Sequence, residues 1–185
     1  MTTSTRSDTI FAITTDPYQN IFGYSLVFMQ LFDYIAKTYK DHRVVLVSND
    51  GRASETVGNE AFIKVKTSPG SPMIIKSVIL GWSFIRHGIS MPPGSVVVAN
   101  SELIELMCAS LLKFKYKRVY CFLHDYGSTF RTTPNIYALV RSLFIRRIGN
   151  VIVLNDMHGR AILKDIPGVK CFVIPNPVFV EYEAI

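Results

Sequence analysis

Hydrophobic positions along this chain follow two alternating patterns. Short, nearly continuous runs rich in β-branched residues read as buried strands: "TIFAIT" (Thr9 to Thr14), "RVVLVS" (Arg43 to Ser48), "VVVA" (Val96 to Ala99), "RVYCFL" (Arg118 to Leu123), "VIVL" (Val151 to Leu154) and "CFVI" (Cys171 to Ile174). Between them lie longer stretches with helical spacing. These cover about Tyr24 to Tyr39, Met73 to His87, a segment ending near Lys113, Thr133 to Arg147, and a short helix around Asp156 to Leu163. "FIKVK" (Phe62 to Lys66) alternates apolar with charged, which predicts a strand with one wet face or a place at the sheet edge. Punctuation fits this division. "NDG", "TSPGSP" and "MPPGS" interrupt the chain, Asn100 or Ser101 is placed to cap a helix with Glu102 in its first turn, and Pro134 suits a first helical position.

Strand–helix alternation with nearly continuous apolar strands predicts an α/β, Rossmann-like fold: a mostly parallel sheet with helices on both faces. No internal repeat, low-complexity tract or linker divides the 185 residues, so a single domain, 1–185, is expected.

Composition sharpens the picture in two respects. Hydrophobic residues make up 49% and charged residues 18%, a generous apolar share that predicts some surface covered by a partner, a second domain or a membrane face. Net charge is +6, which favours an anionic partner without selecting phosphate, nucleic acid or acidic lipid. Cys108, Cys121 and Cys171 are odd in number and have no C-x-x-C spacing, so neither a disulfide framework nor a zinc site is read from them. "MTTSTRSD" is polar, unlike a signal peptide. The longest apolar stretch, Met73 to Ile89, is cut by Lys76, Arg86 and His87 and is too short to span a bilayer. A cytoplasmic protein, at most one resting on a membrane surface, is expected.

Ligands of open parallel sheets gather at the carboxyl ends of the strands. Three segments qualify. "TTDPYQNIFGYS" places Gly23 before a helix whose free N–H groups suit a phosphate or sugar, although no G-x-G-x-x-G or P-loop motif accompanies it. "CFLHDYGSTFR" places His124 and Asp125 directly after a buried strand, where His can shuttle a proton or donate a hydrogen bond; packing on the sheet end and a turn cap are the plainer roles. "VLNDMHGRA" offers Asn155, Asp156 and His158, for which helix capping is the favoured reading. No metal-ligand spacing is present among the histidines and carboxylates. The basic runs "KFKYKR" (Lys113 to Arg118) and "RSLFIRR" (Arg141 to Arg147) read as solvated faces or as a membrane or anion-binding surface; no nucleic-acid-reading module accompanies them.

Taken in order, these features resemble the N-terminal domain of a GT-B glycosyltransferase of the glycogen-synthase-like family 4. The opening strand, Gly-containing loop, helix and "RVVLVS" are similar to that family's start. "VVVANSELIELMCASLL", "RVYCFLHD" and "VIVLNDMHGRAIL" follow its middle units, and "VIPNPV" resembles its "V-I-P-N-G-V" crossing into the second domain. The resemblance implies half of a GT-B fold, the acceptor side, with the C-terminal donor-binding domain and its Glu-x7-Glu pattern absent. It further implies sugar transfer from a nucleotide-sugar donor with retention, without cofactor or metal, and only with a donor-binding domain supplied. Asn20, Gly23 and Tyr24 would face the donor phosphates, and His124, with Asp125 beside it, would be the cleft histidine. Implied partners are the missing domain or a partner chain, a carbohydrate or lipid-linked acceptor, and an anionic membrane surface. "NIFGYS" lacks the relatives' two adjacent glycines, Asn155 stands for Ser, and Pro177 stands for Gly. A non-catalytic carbohydrate- or protein-binding module is the alternative.

Overall fold

The computed structural model describes residues 9–14, 24–48, 55–57, 59–67, 70–123 and 136–175. In chain order these form β1 (Thr9–Thr14), α1 (Tyr24–Thr38), β2 (Arg43–Ser48), β3 (Glu55–Val57), β4 (Glu60–Lys64), α2 (Met73–Ser90), β5 (Val96–Ala99) and α3 (Leu103–Leu112). They continue with β6 (Arg118–Leu123), α4 (Ile136–Ile148), β7 (Asn150–Val153), α5 (Asp156–Asp165) and β8 (Lys170–Val173).

The strands join in one sheet, in the order β3-β4-β2-β1-β5-β6-β7-β8. Every neighbouring pair is parallel except β3 with β4. This is the Rossmann-like α/β arrangement expected from the alternation. The register carries Ile13 to Ala99, Ala99 to Cys121 and Cys121 to Val151, so the carboxyl ends of β1, β5, β6 and β7 share one sheet edge.

The two-residue period of the strands sorts side chains onto two cores. On one face Phe11, Val97, Val119, Cys121 and Val151 lie under α2, α3, α4 and α5, which contribute Phe84, Leu106, Ile145 and Ile162. On the other, Ala12, Leu46, Val98 and Phe122 meet Phe28 and Phe32 of α1. Helices therefore cover both faces. α4 stops at Gly149, whose positive φ of 77° lets its N–H reach back to Ile145 O at 2.9 Å.

Two expectations need correction. The strand predicted at Phe62 to Lys66 is Glu60–Lys64, and it is not the edge, because β3 pairs antiparallel with it from Glu55↔Phe62 to Val57↔Glu60. At three residues, β3 is too short to leave a period in the sequence. Second, α3 is capped by Glu102, not by Asn100 or Ser101. Both of those side chains are buried, and the Asn100 N–H instead extends the ladder by donating to Ile13 O at 3.3 Å.

Local contacts fix how the helices sit. Gly88 of α2 leaves no room for a side chain: a Cβ there would lie 2.7 Å from Leu112 and 3.1 Å from the Phe11 ring, which stacks on Phe84 at 4.5 Å. The buried Tyr116 hydroxyl lies within hydrogen-bond reach of both Gly88 O and, at 2.9 Å, Met91 O and shares its one proton between them, closing the end of α2. At the end of α1, the Asn59 Nδ2 amide lies 3.0 Å from Ala36 O and 2.8 Å from His42 O, tying the turn before β2 to the strand beyond it.

Candidate active site

Strand order reverses direction between β1 and β5: β2 and β4 follow β1 on one side, and β5 to β8 build out on the other. In a parallel sheet this switch point opens a crevice outside the strand ends, because the connections on its two sides leave in opposite directions. The polar residues at this edge are built into the strands themselves. Ser48 closes β2 with its hydroxyl fully buried and without a hydrogen-bond partner among the described residues. Asn100 and Ser101 follow β5, also buried.

Two helices leave the switch strands, and their N-termini differ. α3, which follows β5, is filled by its own side chains. The Glu102 carboxylate accepts from the N–H of Glu105, and the Glu105 carboxylate accepts from the N–H of Glu102 at 3.4 Å. Tyr137 of α4 adds to this cluster by hydrogen bonding to Glu102. Burial first, and then the Glu102 charge, hold its hydroxyl above the usual tyrosine range against the opposing pull of Arg141. An incoming anion would meet carboxylates here. α1, which follows β1, has no acidic residue in its first turn, the position at which a helix dipole favours an anion.

Of the residues expected at the site, Tyr24 begins α1. Asn20, Gly23, His124 and Asp125 lie outside the described residues. The elements flanking them are described: β1 ends at Thr14, and β6 ends at Leu123, immediately before His124. With only β5 between them, the ends of β1 and β6 are two strand spacings apart, about 10 Å. The third candidate segment behaves as a cap. Asn155 Oδ1 accepts from the N–H of His158 at 2.8 Å, while Asp156 and Met157 point to solvent. No helix of the described residues is long and apolar enough to cross a membrane. Among the described residues no three His, Cys, Asp or Glu side chains group to hold a metal ion.

No protein-family model and no curated protein sequence matches the chain.

The buried charges behind this edge were not foreseen. Glu105 is wholly buried, and Arg141, expected on a solvated face, is 6% exposed. Arg141 shares a helical face with the buried Ile145 and Ile148, at spacings of four and three, which is the signal that places it inward. Its charge reaches Cys121 of β6. Burial still dominates that thiol and pushes it up to about 12. On α3, burial and the Glu105 charge together raise Cys108 to about 12 as well. The third thiol, Cys171, is half-buried. Cys108 and Cys121 are buried core thiols held neutral.

Proposed function

We propose that this chain is the acceptor-side, N-terminal half of a GT-B glycosyltransferase, and that it transfers a sugar from a nucleotide-sugar to an acceptor when a donor-binding domain completes the cleft. The observation that carries this reading is the asymmetry at the switch point. Of the two helices leaving β1 and β5, α3 is closed by Glu102 and Glu105, and α1 keeps a first turn free of acidic residues. A diphosphate leaving group, which gains negative charge as the glycosidic bond breaks, is best met by a helix end whose first turn carries no acidic residue. The ordered resemblance from "RVVLVS" to "VIPNPV" supports the same assignment. In it, His124 follows β6 at the same edge and donates a hydrogen bond to the donor sugar, with Asp125 beside it. The segment holding Asn20, Gly23 and Tyr24 faces the phosphates.

The test is nucleoside diphosphate release from UDP- and GDP-sugars in the presence of glycan and lipid-linked acceptors, with a donor-binding domain supplied. His124→Ala is expected to lower turnover on the order of 100-fold, and the product is expected to keep the anomeric configuration of the donor, read by NMR. Carbohydrate binding without turnover, unmoved by His124→Ala, would instead make the chain a non-catalytic binding module.

A further inference from the structure

The second helix carries apolar residues on its inner and outer sides, separated along one flank by a polar strip of Lys76, Ser83, His87 and Ser90. Its inner side packs in the usual way, with Leu80, Phe84 and Gly88 against α3 and β1. Its outer side carries Ile74, Ile75, Val78, Ile79, Trp82 and Ile89, all exposed, with Ile74 78% and Trp82 68% open to solvent. At 3.6 residues per turn these six positions span an arc of about 140°. Arg86 is the charged residue within that arc, and α2 contains no carboxylate. A contiguous exposed apolar stripe of this kind marks a contact surface. α2 does not meet the requirements of a membrane span.

A basic rim adjoins the stripe. The "KFKYKR" turn is fastened to the end of α2: Lys115 Nζ donates to Ile89 O and, at 3.1 Å, to Met91 O, and Arg118 donates to Gly94 O at 2.7 Å. Arg147 of α4 joins this corner by stacking over Phe114 at 4.5 Å, and Phe114 itself is 80% exposed. Lys117 and Arg146 are exposed as well. Acidic residues are nearly missing from this part of the chain. Between Glu60 and Asp156 they are Glu102, Glu105 and Asp125, and the first two are committed to the α3 cap.

We propose that the outer face of α2 docks into the interface of an anionic lipid bilayer, its isoleucines and Trp82 among the acyl-chain boundary and the Lys113–Arg118 corner among the headgroups. Charge complementarity selects this occupant. An apolar stripe with a basic rim is the pattern that adds apolar burial to attraction by acidic lipids. A second copy of the chain would bring an equally basic rim against the first, and like charges oppose that contact. The helix runs from the carboxyl edge of the sheet back to the amino edge, as a crossover between parallel strands must. Docking along α2 therefore runs across the height of the sheet, with the basic corner at the amino edge and Ile74 toward the carboxyl edge. The inference is independent of the proposed sugar transfer, since no donor or acceptor enters its test.

Trp82 is the single tryptophan of the chain, so its fluorescence reports on this face alone. The full chain is titrated with phosphatidylcholine vesicles and with vesicles containing roughly 30% phosphatidylglycerol. The expected result is a blue-shifted, brominated-lipid-quenched Trp82 emission with the anionic vesicles, weakening as salt rises. Ile74→Ser with Val78→Ser should lower vesicle affinity by about ten-fold or more while leaving the melting curve in place, because both side chains are already in solvent. Lys117→Glu with Arg146→Glu should lower binding to the anionic vesicles selectively. Unchanged Trp82 emission with both vesicle types overturns the proposal. So does salt-independent binding that ignores lipid charge. Self-association in the absence of lipid, abolished by the Ile74/Val78 variant, would assign the face to a second copy and overturn it too.

Discussion

Single thiols in this molecule behave as the packing around them dictates. Cys108 and Cys121 are held neutral, with burial the larger cause in each case, and both are pushed up to about 12. In the unfolded chain the same thiols lose their protons near 9. The unfolded state therefore binds fewer protons than the folded one as pH rises above that value, and stability must fall. The contribution is complete below pH 9 and is lost as pH rises toward 12. Thermal melts at stepped alkaline pH should show this decline, and it should flatten in Cys121→Ala. Reactivity should follow the same order of burial. Under native conditions Cys171 is expected to be alkylated first and Cys121 last, as read by mass-spectrometric mapping after brief iodoacetamide exposure.

Among the described residues, seven of the eight strands and all five helices follow from the spacing of apolar residues. The strand-long buried runs of "VVVA" and "RVYCFL" left little alternative. β3 escaped because three residues are shorter than the pattern needed to detect them. The α3 cap escaped because Asn100 and Ser101 are the stronger capping types in isolation, whereas tertiary burial claims both and leaves the role to Glu102. Arg141 was misplaced because a basic run was read as a unit and not position by position. The sequence reading pointed to the carboxyl edge of the sheet and to Glu102 at the start of α3, but not to the capping box that Glu102 makes with Glu105. One seam allows a direct check of this packing. Gly88→Ala should improve the intrinsic helix propensity of α2 by about 1 kcal/mol. Yet a methyl group 3.1 Å from the Phe11 ring and 2.7 Å from Leu112 should cost more, giving a net loss of about 1–2 kcal/mol in urea melts.

At the scale of the whole molecule, protection should grade from the middle of the sheet outward. β1 and its neighbours β2 and β5 are buried on both faces, while β8 is an edge strand with Phe172 and Val173 about two-fifths exposed. Native-state hydrogen exchange should find the slowest amides in Phe11 to Ile13, Val45 to Val47 and Val97 to Ala99, and faster exchange in Lys170–Val173. Exchange in β8 as slow as in β1 would contradict this grading.

The central position of β1 also sets a timetable for synthesis. Its partner on one side, β2, is made soon after it, and β4 follows on the same flank. The partner on the other side is late: Ile10 must wait for Val96. From β5 onward each new strand lies beside the one made just before it, so β6, β7 and β8 can be added as they leave the ribosome. In the interval, β1 presents an open row of backbone donors and acceptors flanked by Phe11 and Ile13. The nascent chain is then most prone to edge-to-edge aggregation, and the vulnerability ends when Val96–Ala99 arrives.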